Sequence, residues 1–182
     1  MNKAKLIFGV CAYIFVQATV IHAENVNPVF EVPPGVTFLT GDSWDQGGTI
    51  VRLYGVQSCI RGTPMKANAQ NRDCGDISMA FLAKFIASAP TSCQGIAQTQ
   101  SPPQYLVVCK SKIGDSVVDL GTALIVKGFA FASEDARGDP VNIQYYVAEQ
   151  EAKAAKSGLW QFDGFPHPNL IMKGAIEKQI MK

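Results

Sequence analysis

Four of the five cysteines, at positions 59, 74, 93 and 109, lie beyond the apolar N-terminal run that holds Cys11, and these four constrain the chain more than any other feature. No two of them form a Cys-x-x-Cys pair. The one histidine beyond residue 22, His167, lies far along the chain. A zinc set is therefore disfavoured, and no metal site is expected. An even count suggests two disulfides in a chain that meets an oxidising compartment. Four cysteines allow three pairings. We favour Cys59–Cys74 with Cys93–Cys109, because each then closes a loop of about 15 residues, worth roughly 3 kcal/mol by the chain-entropy argument.

The first 23 residues fit the same compartment. Lys3 and Lys5 precede an apolar run from Leu6 to Ile21, and small Ala23 stands before Glu24. That is a signal-peptide layout, with cleavage expected after Ala23 and delivery to the periplasm or the medium. A lipoprotein is disfavoured, because Val10 stands directly before Cys11 where a small residue is needed. No later apolar run is long enough to span a membrane. Without its two signal lysines the chain carries 14 basic against 15 acidic residues. That balance does not favour nonspecific nucleic-acid binding, which draws its affinity from neutralising phosphates.

At 182 residues, 47% of them hydrophobic, the chain can bury one domain's core. Val36–Leu39 and Thr49–Val56 read as strands around a "GDSWDQGG" turn. "GDISMAFLAKFIASAP" has apolar residues at helical spacing and stops at Pro90. Ser92–Gln98 and Tyr105–Lys110 read as a second strand pair. "SVVDLGTALIVKGFA" reads as a helix with Gly128 past its end. "NIQYYVAEQEAKAAKSGLW" reads as another, capped by Asn142 and ended by Gly158. This order predicts an α+β domain over 24–165. The tail 166–182 has two prolines that break any helix before Asn169, then an apolar stripe of Leu170, Ile171, Ala175, Ile176 and Ile180. We expect a short C-terminal helix docked on its own domain, with a partner's groove as the alternative.

Several of these segments, taken in order, resemble the staphylococcal nuclease-like (thermonuclease) family. "VRLYGV" is similar to its strand bearing a catalytic arginine, and "GTALIVKGFAFA" to its L-V-x-x-G-x-A segment. "YYVAEQEAKAAKSGLW" is similar to its last helix, and "CGDISMAFLAKFI" to the helix after its active-site loop. The resemblance covers roughly Phe30 to Trp160. It implies a five-stranded OB-type barrel with three helices, to which the C-terminal helix is added.

Carried over residue by residue, the resemblance assigns Arg52 to the arginine that contacts the scissile phosphate. The other catalytic positions are lost. Gln57 stands for a calcium-binding aspartate, Cys59 for a proline, Ile60 for the general-base glutamate and Gln104 for a second arginine. The acidic first-strand motif falls near Pro33–Thr37, which holds no acid. Asp42 and Asp45 are expected at a hairpin tip roughly 30 Å of strand away from Gln57, at the wrong end of the barrel. Glu31 is the only credible substitute acid. Asp73 and Asp76 read as helix-start acids. Tyr145, Tyr146 and Trp160 read as core before base-stacking platforms. Calcium affinity follows charged oxygen ligands, and a general base alone is worth about 10² to 10⁴ in rate. The expected function is therefore a catalytically inactive, disulfide-braced binding or assembly module in the cell envelope, acting on an unknown protein partner through the barrel or the C-terminal helix and needing no cofactor. The alternatives are a calcium-dependent nuclease with rearranged ligands and a degenerate nuclease that still binds nucleic acid.

Overall fold

The computed structural model describes residues 27–67, 70–162 and 166–180. The expected signal segment and its cleavage site after Ala23 lie outside the described residues, as do the side chains of Ala175, Ile176 and Ile180.

Eleven strands and four helices are present among the described residues. The strands are β1 (Val29–Val32), β2 (Thr37–Thr40), β3 (Ser43–Gln46), β4 (Thr49–Leu53), β5 (Val56–Ser58), β6 (Pro64–Ala67), β7 (Gln70–Asp73), β8 (Thr91–Gln100), β9 (Pro103–Ile113), β10 (Ser116–Asp119) and β11 (Ala130–Ala132). The helices are α1 (Cys74–Ser88), α2 (Leu120–Val126), α3 (Ile143–Ala154) and α4 (Pro168–Ile180). Three helices begin on side-chain caps that satisfy orphan amides. Asp73 accepts from Gly75 and Asp76, Asp119 from Thr122, and Asn142 from Gln144 and Tyr145. Asp73 thus takes the structural role its position suggested.

The main sheet runs β1-β8-β9-β4-β3-β2. One edge of β9 is shared. Val51–Leu53 of β4 pairs with Tyr105–Val107 in parallel, and β10 pairs with Lys110–Ile113. The sheet curls. In a flat sheet β1 and β3, four strand spacings apart, would be about 19 Å from each other. Yet Gln46 Nε2 of β3 donates to Glu31 O of β1 at 2.8 Å. Two small ribbons, β5–β11 and β6–β7, stand apart from this sheet. The molecule is mixed α+β, as expected, with more strands than the sequence reading contained.

The core lies inside the curl. Trp44, Val51, Leu53 and Val107 from the sheet meet Leu82 of α1 and Leu120, Leu124 and Ile125 of α2. A second cluster joins Phe131 and Leu159 to the buried Cys59–Cys74 pair. Tyr145 is core, and burial together with the nearby Asp119 carboxylate pushes its phenol pKa up. Tyr146 is exposed and Trp160 packs against Phe131.

Both disulfides have the favoured pairing, Cys59–Cys74 and Cys93–Cys109. The first ties the loop after β5 to the start of α1. The second is a rung between facing residues of β8 and β9. Two disulfides fit an oxidising compartment such as the periplasm or the medium, and no helix among the described residues is long and apolar enough to cross a membrane. Non-reducing peptide mapping of the oxidised protein should recover these two linkages. A Cys59–Cys109 linkage would contradict the strand order.

Three local expectations need correction. "GDSWDQGG" is not one turn. Ser43–Gln46 is a strand between a turn at Gly41–Asp42 and another at Gly47–Gly48, and Trp44 is fully buried. Ser116–Asp119 is a strand, and the helix starts only at Leu120, after the Asp119 cap. The tail helix starts at Pro168, one residue earlier than expected, because proline is tolerated in a helix's first turn where no amide partner is needed.

Candidate functional site

The correction at Gly41–Asp42 changes the surroundings of Arg52. Ser43 in β3 faces Arg52 in β4, so the turn just before Ser43 comes back beside Arg52. Asp42 is not at a distant tip. Its side chain is buried, 1% exposed, and its Oδ2 lies 3.0 Å from Arg52 Nη2, whose side chain is 31% exposed. The same Nη2 donates to Gln57 Oε1 at 2.9 Å. Nη2 thus meets both Asp42 and Gln57, while the Arg52 side chain as a whole stays partly exposed.

The Asp42 carboxylate is satisfied on both oxygens. Oδ1 accepts from Thr40 Oγ1 and from Ser58 Oγ at 3.2 Å. Oδ2 accepts from the Ser58 amide at 3.3 Å as well as pairing with Arg52. Ser43 Oγ joins the cluster through Thr40 at 2.6 Å. A buried carboxylate with this many donors and a facing cation needs no further partner. Gln57 is oriented in turn, because its Nε2 donates to Ser58 O.

The backbone explains why the turn sits so close. A Cβ on Gly41 would lie 2.6 Å from Ser78 Cβ of α1 and 3.0 Å from Ser58 Cβ of β5. Only glycine allows the turn to press between helix and ribbon and so deliver Asp42 to Ser58 and Arg52. The ribbon holds the other side. Ser133 N donates to Gly55 O, so by antiparallel alternation Phe131 and Gln57 are the next hydrogen-bonded pair.

The remaining sequence candidates lie outside this cluster. Ile60 is in the loop after β5, which folds onto the start of α1: Thr63 N donates to Ile60 O, Cys74 N to Thr63 O and Gly62 N to the Asp73 carboxylate. Cys59 is buried in its disulfide and is no reactive thiol. Gln104 lies on β9, two residues before Leu106, the neighbour of Arg52, and makes no hydrogen bond to the cluster among the described residues. Glu31 is on β1, paired with Ser92. Asp42, and not Glu31, is the acid beside Arg52. A sequence signal for this existed. Gly47-Gly48 is a two-residue hairpin turn, which leaves "SWDQ" as a strand and returns Asp42 to the far end of it.

Calcium does not fit these residues. Asp42 is the one carboxylate in the cluster, its oxygens are engaged, and a guanidinium stands where a cation would be repelled. Compared with protein-family models and with curated proteins, the chain matches none.

Proposed function

We propose that this protein is a disulfide-braced, nuclease-like domain without nuclease activity, which binds a partner or ligand in the cell envelope with Arg52 as a fixed contact. The curled sheet capped by helices is compatible with the OB-type barrel that the resemblance to staphylococcal nuclease-like proteins implies. The observation that carries the reading is the state of Asp42. Asp42 is the carboxylate beside Arg52, and its oxygens are engaged by Arg52, Ser58 and Thr40. Such a carboxylate orients the arginine and is a poor metal ligand. Ile60 cannot take a proton from water, and Gln57 brings no charge. Loss of the base alone removes about 10² to 10⁴ in rate, and loss of the metal removes several kcal/mol more.

The purified mature protein is therefore expected to leave plasmid DNA and RNA intact with calcium or with chelator. Calcium-dependent cleavage that Arg52→Ala abolishes would overturn the proposal. It would favour the second reading, a nuclease with rearranged ligands, for which the position of Asp42 beside Arg52 is the supporting observation. Single restorations such as Gln57→Asp or Ile60→Glu should not create activity, because catalytic groups that act as a unit are strongly non-additive. A salt titration of DNA binding separates the envelope module from a degenerate nucleic-acid binder: the module should show no salt-dependent affinity.

A further inference from the structure

The C-terminal segment reaches the Arg52 cluster through hydrogen bonds to Ala132, a ring contact with Phe131 and the pairing of β11 with β5. Ala132, the last residue of β11, lies opposite Val56 at a position where its N–H and C=O point away from β5. Neither is left to water. The N–H donates to Glu149 Oε2 of α3 at 2.6 Å, and the C=O accepts from Asn169 Nδ2 of α4 at 3.0 Å. Glu149 and Asn169 are both about 5% exposed. His167 holds the two together: its Nε2 lies 3.0 Å from Glu149 Oε1, and its Nδ1 accepts from Asn169 N at 3.2 Å. The His167 ring packs edge-on against Phe131. Phe131 is the residue facing Gln57, and Gln57 holds Arg52.

This arrangement is specific in a way that apolar packing is not. The ribbon β5–β11 has two strands and stands outside the main sheet. A lone two-stranded ribbon is marginal by itself, so its position depends on what grips its outer edge. At Ala132 the grip is two buried side chains, one from each of two helices. A buried backbone carbonyl left unpaired is destabilising, so the Asn169 contact is not neutral. On the solvent side, Lys173 Nζ pairs with Glu134 Oε2 at 2.6 Å, and that hydrogen bond holds the Glu134 carboxyl below its ordinary pKa.

We propose that residues 166–180 act as a latch: docking of His167 and Asn169 onto Glu149 and Ala132 fixes the β5–β11 ribbon and thereby seats Gln57 against Arg52, and release of the segment loosens the arginine. The latch rests on Arg52 being the contact of the proposed module. Its test reads backbone and guanidinium motion, not ligand binding, so the two can fail separately.

The experiment is amide hydrogen exchange on the full mature, oxidised chain, with the Arg52 Nε–H signal followed by NMR. Asn169→Leu keeps the bulk of the side chain and deletes its donor. Exchange at 56–58 and 129–133 should rise at least tenfold, and the Arg52 signal should broaden or shift, while amides flanking Cys93 and Cys109 keep their protection. If faster exchange stays within 166–180 and the Arg52 signal is unchanged, the latch is wrong and the helix is only a cover. Should Asn169→Leu fail to fold, Lys173→Ala loosens the same helix from its exposed side. It should move the same two stretches and the Arg52 signal by a few-fold, and no movement there would equally overturn the proposal.

Discussion

Asp42→Ala is expected to be among the most destabilising single substitutions in this protein, lowering unfolding free energy by roughly 2–4 kcal/mol. The carboxylate it removes is buried and accepts from two hydroxyls, one amide and one guanidinium. Truncation leaves the Ser58 amide and hydroxyl without their acceptor and removes the carboxylate that faces Arg52. Arg52 is partly solvated, so the loss falls below that of a fully buried pair. Arg52→Ala should cost less, because Thr40 and Ser58 continue to satisfy the carboxylate. Urea unfolding of both single variants and the double variant measures the coupling, which should be about 1–3 kcal/mol for groups in one network. A loss under about 1 kcal/mol for Asp42→Ala would mean that the carboxylate is free, and would reopen the metal-binding alternative.

The second large effect is expected where two glycines cross. Gly128 follows α2 with φ of +74°, and Gly158 follows α3 with φ of +53°. A Cβ on Gly128 would lie 2.1 Å from Ser157 O, and one on Gly158 would lie 2.3 Å from Lys127 O. Leu159 N donates to Gly128 O across the same contact. Alanine at either position takes a left-handed backbone penalty of roughly 1–2 kcal/mol and an overpacking cost of about 1–3 kcal/mol. Both obstacles are backbone atoms and cannot rotate away. Each substitution should therefore lower stability by about 2–4 kcal/mol, read as a shift in the urea midpoint at unchanged slope. The two changes together should cost less than their sum, since the first already forces the chains apart.

Those glycines were legible in the sequence as helix ends, because a glycine after an apolar-periodic run has few other uses. The helices themselves were legible for the same reason: Asp73, Asn142 and the Ala-rich turns of α3 leave one interpretation. Strands were harder. β5 and β11 have three residues each, too few for alternation to register, and β10 continues into α2 without a breaker, so its Val117–Val118 pair read as helix. The candidate site was half legible. Arg52 and its neutral neighbour Gln57 were singled out by the family resemblance of "VRLYGV", but Asp42 depends on which of two glycine-containing turns reverses the chain. A one-strand error moved the deciding carboxylate to the wrong end of the domain. The tail contacts were not legible at all, because Glu149, His167 and Asn169 meet through tertiary packing and no spacing announces them.

The parallel pairing of β4 with β9 has a consequence for how the molecule comes into being. A chain threaded N-terminus first, through a ribosome tunnel or a translocation channel, releases Val51 roughly fifty positions before its neighbour Tyr105. Until then Val51 and Leu53 of β4 stand on an open edge, the kind of surface on which nascent chains associate wrongly. The Cys59–Cys74 crosslink needs no such wait, since its cysteines are 15 positions apart and both precede β9. Assembly then has a natural sequence: a locally stapled first half, sheet closure once β9 has emerged, the ribbon after β11, and then Asn169 onto Ala132 and Lys173 onto Glu134. On the proposed latch, the contact that steadies the arginine forms only after the ribbon it grips is in place.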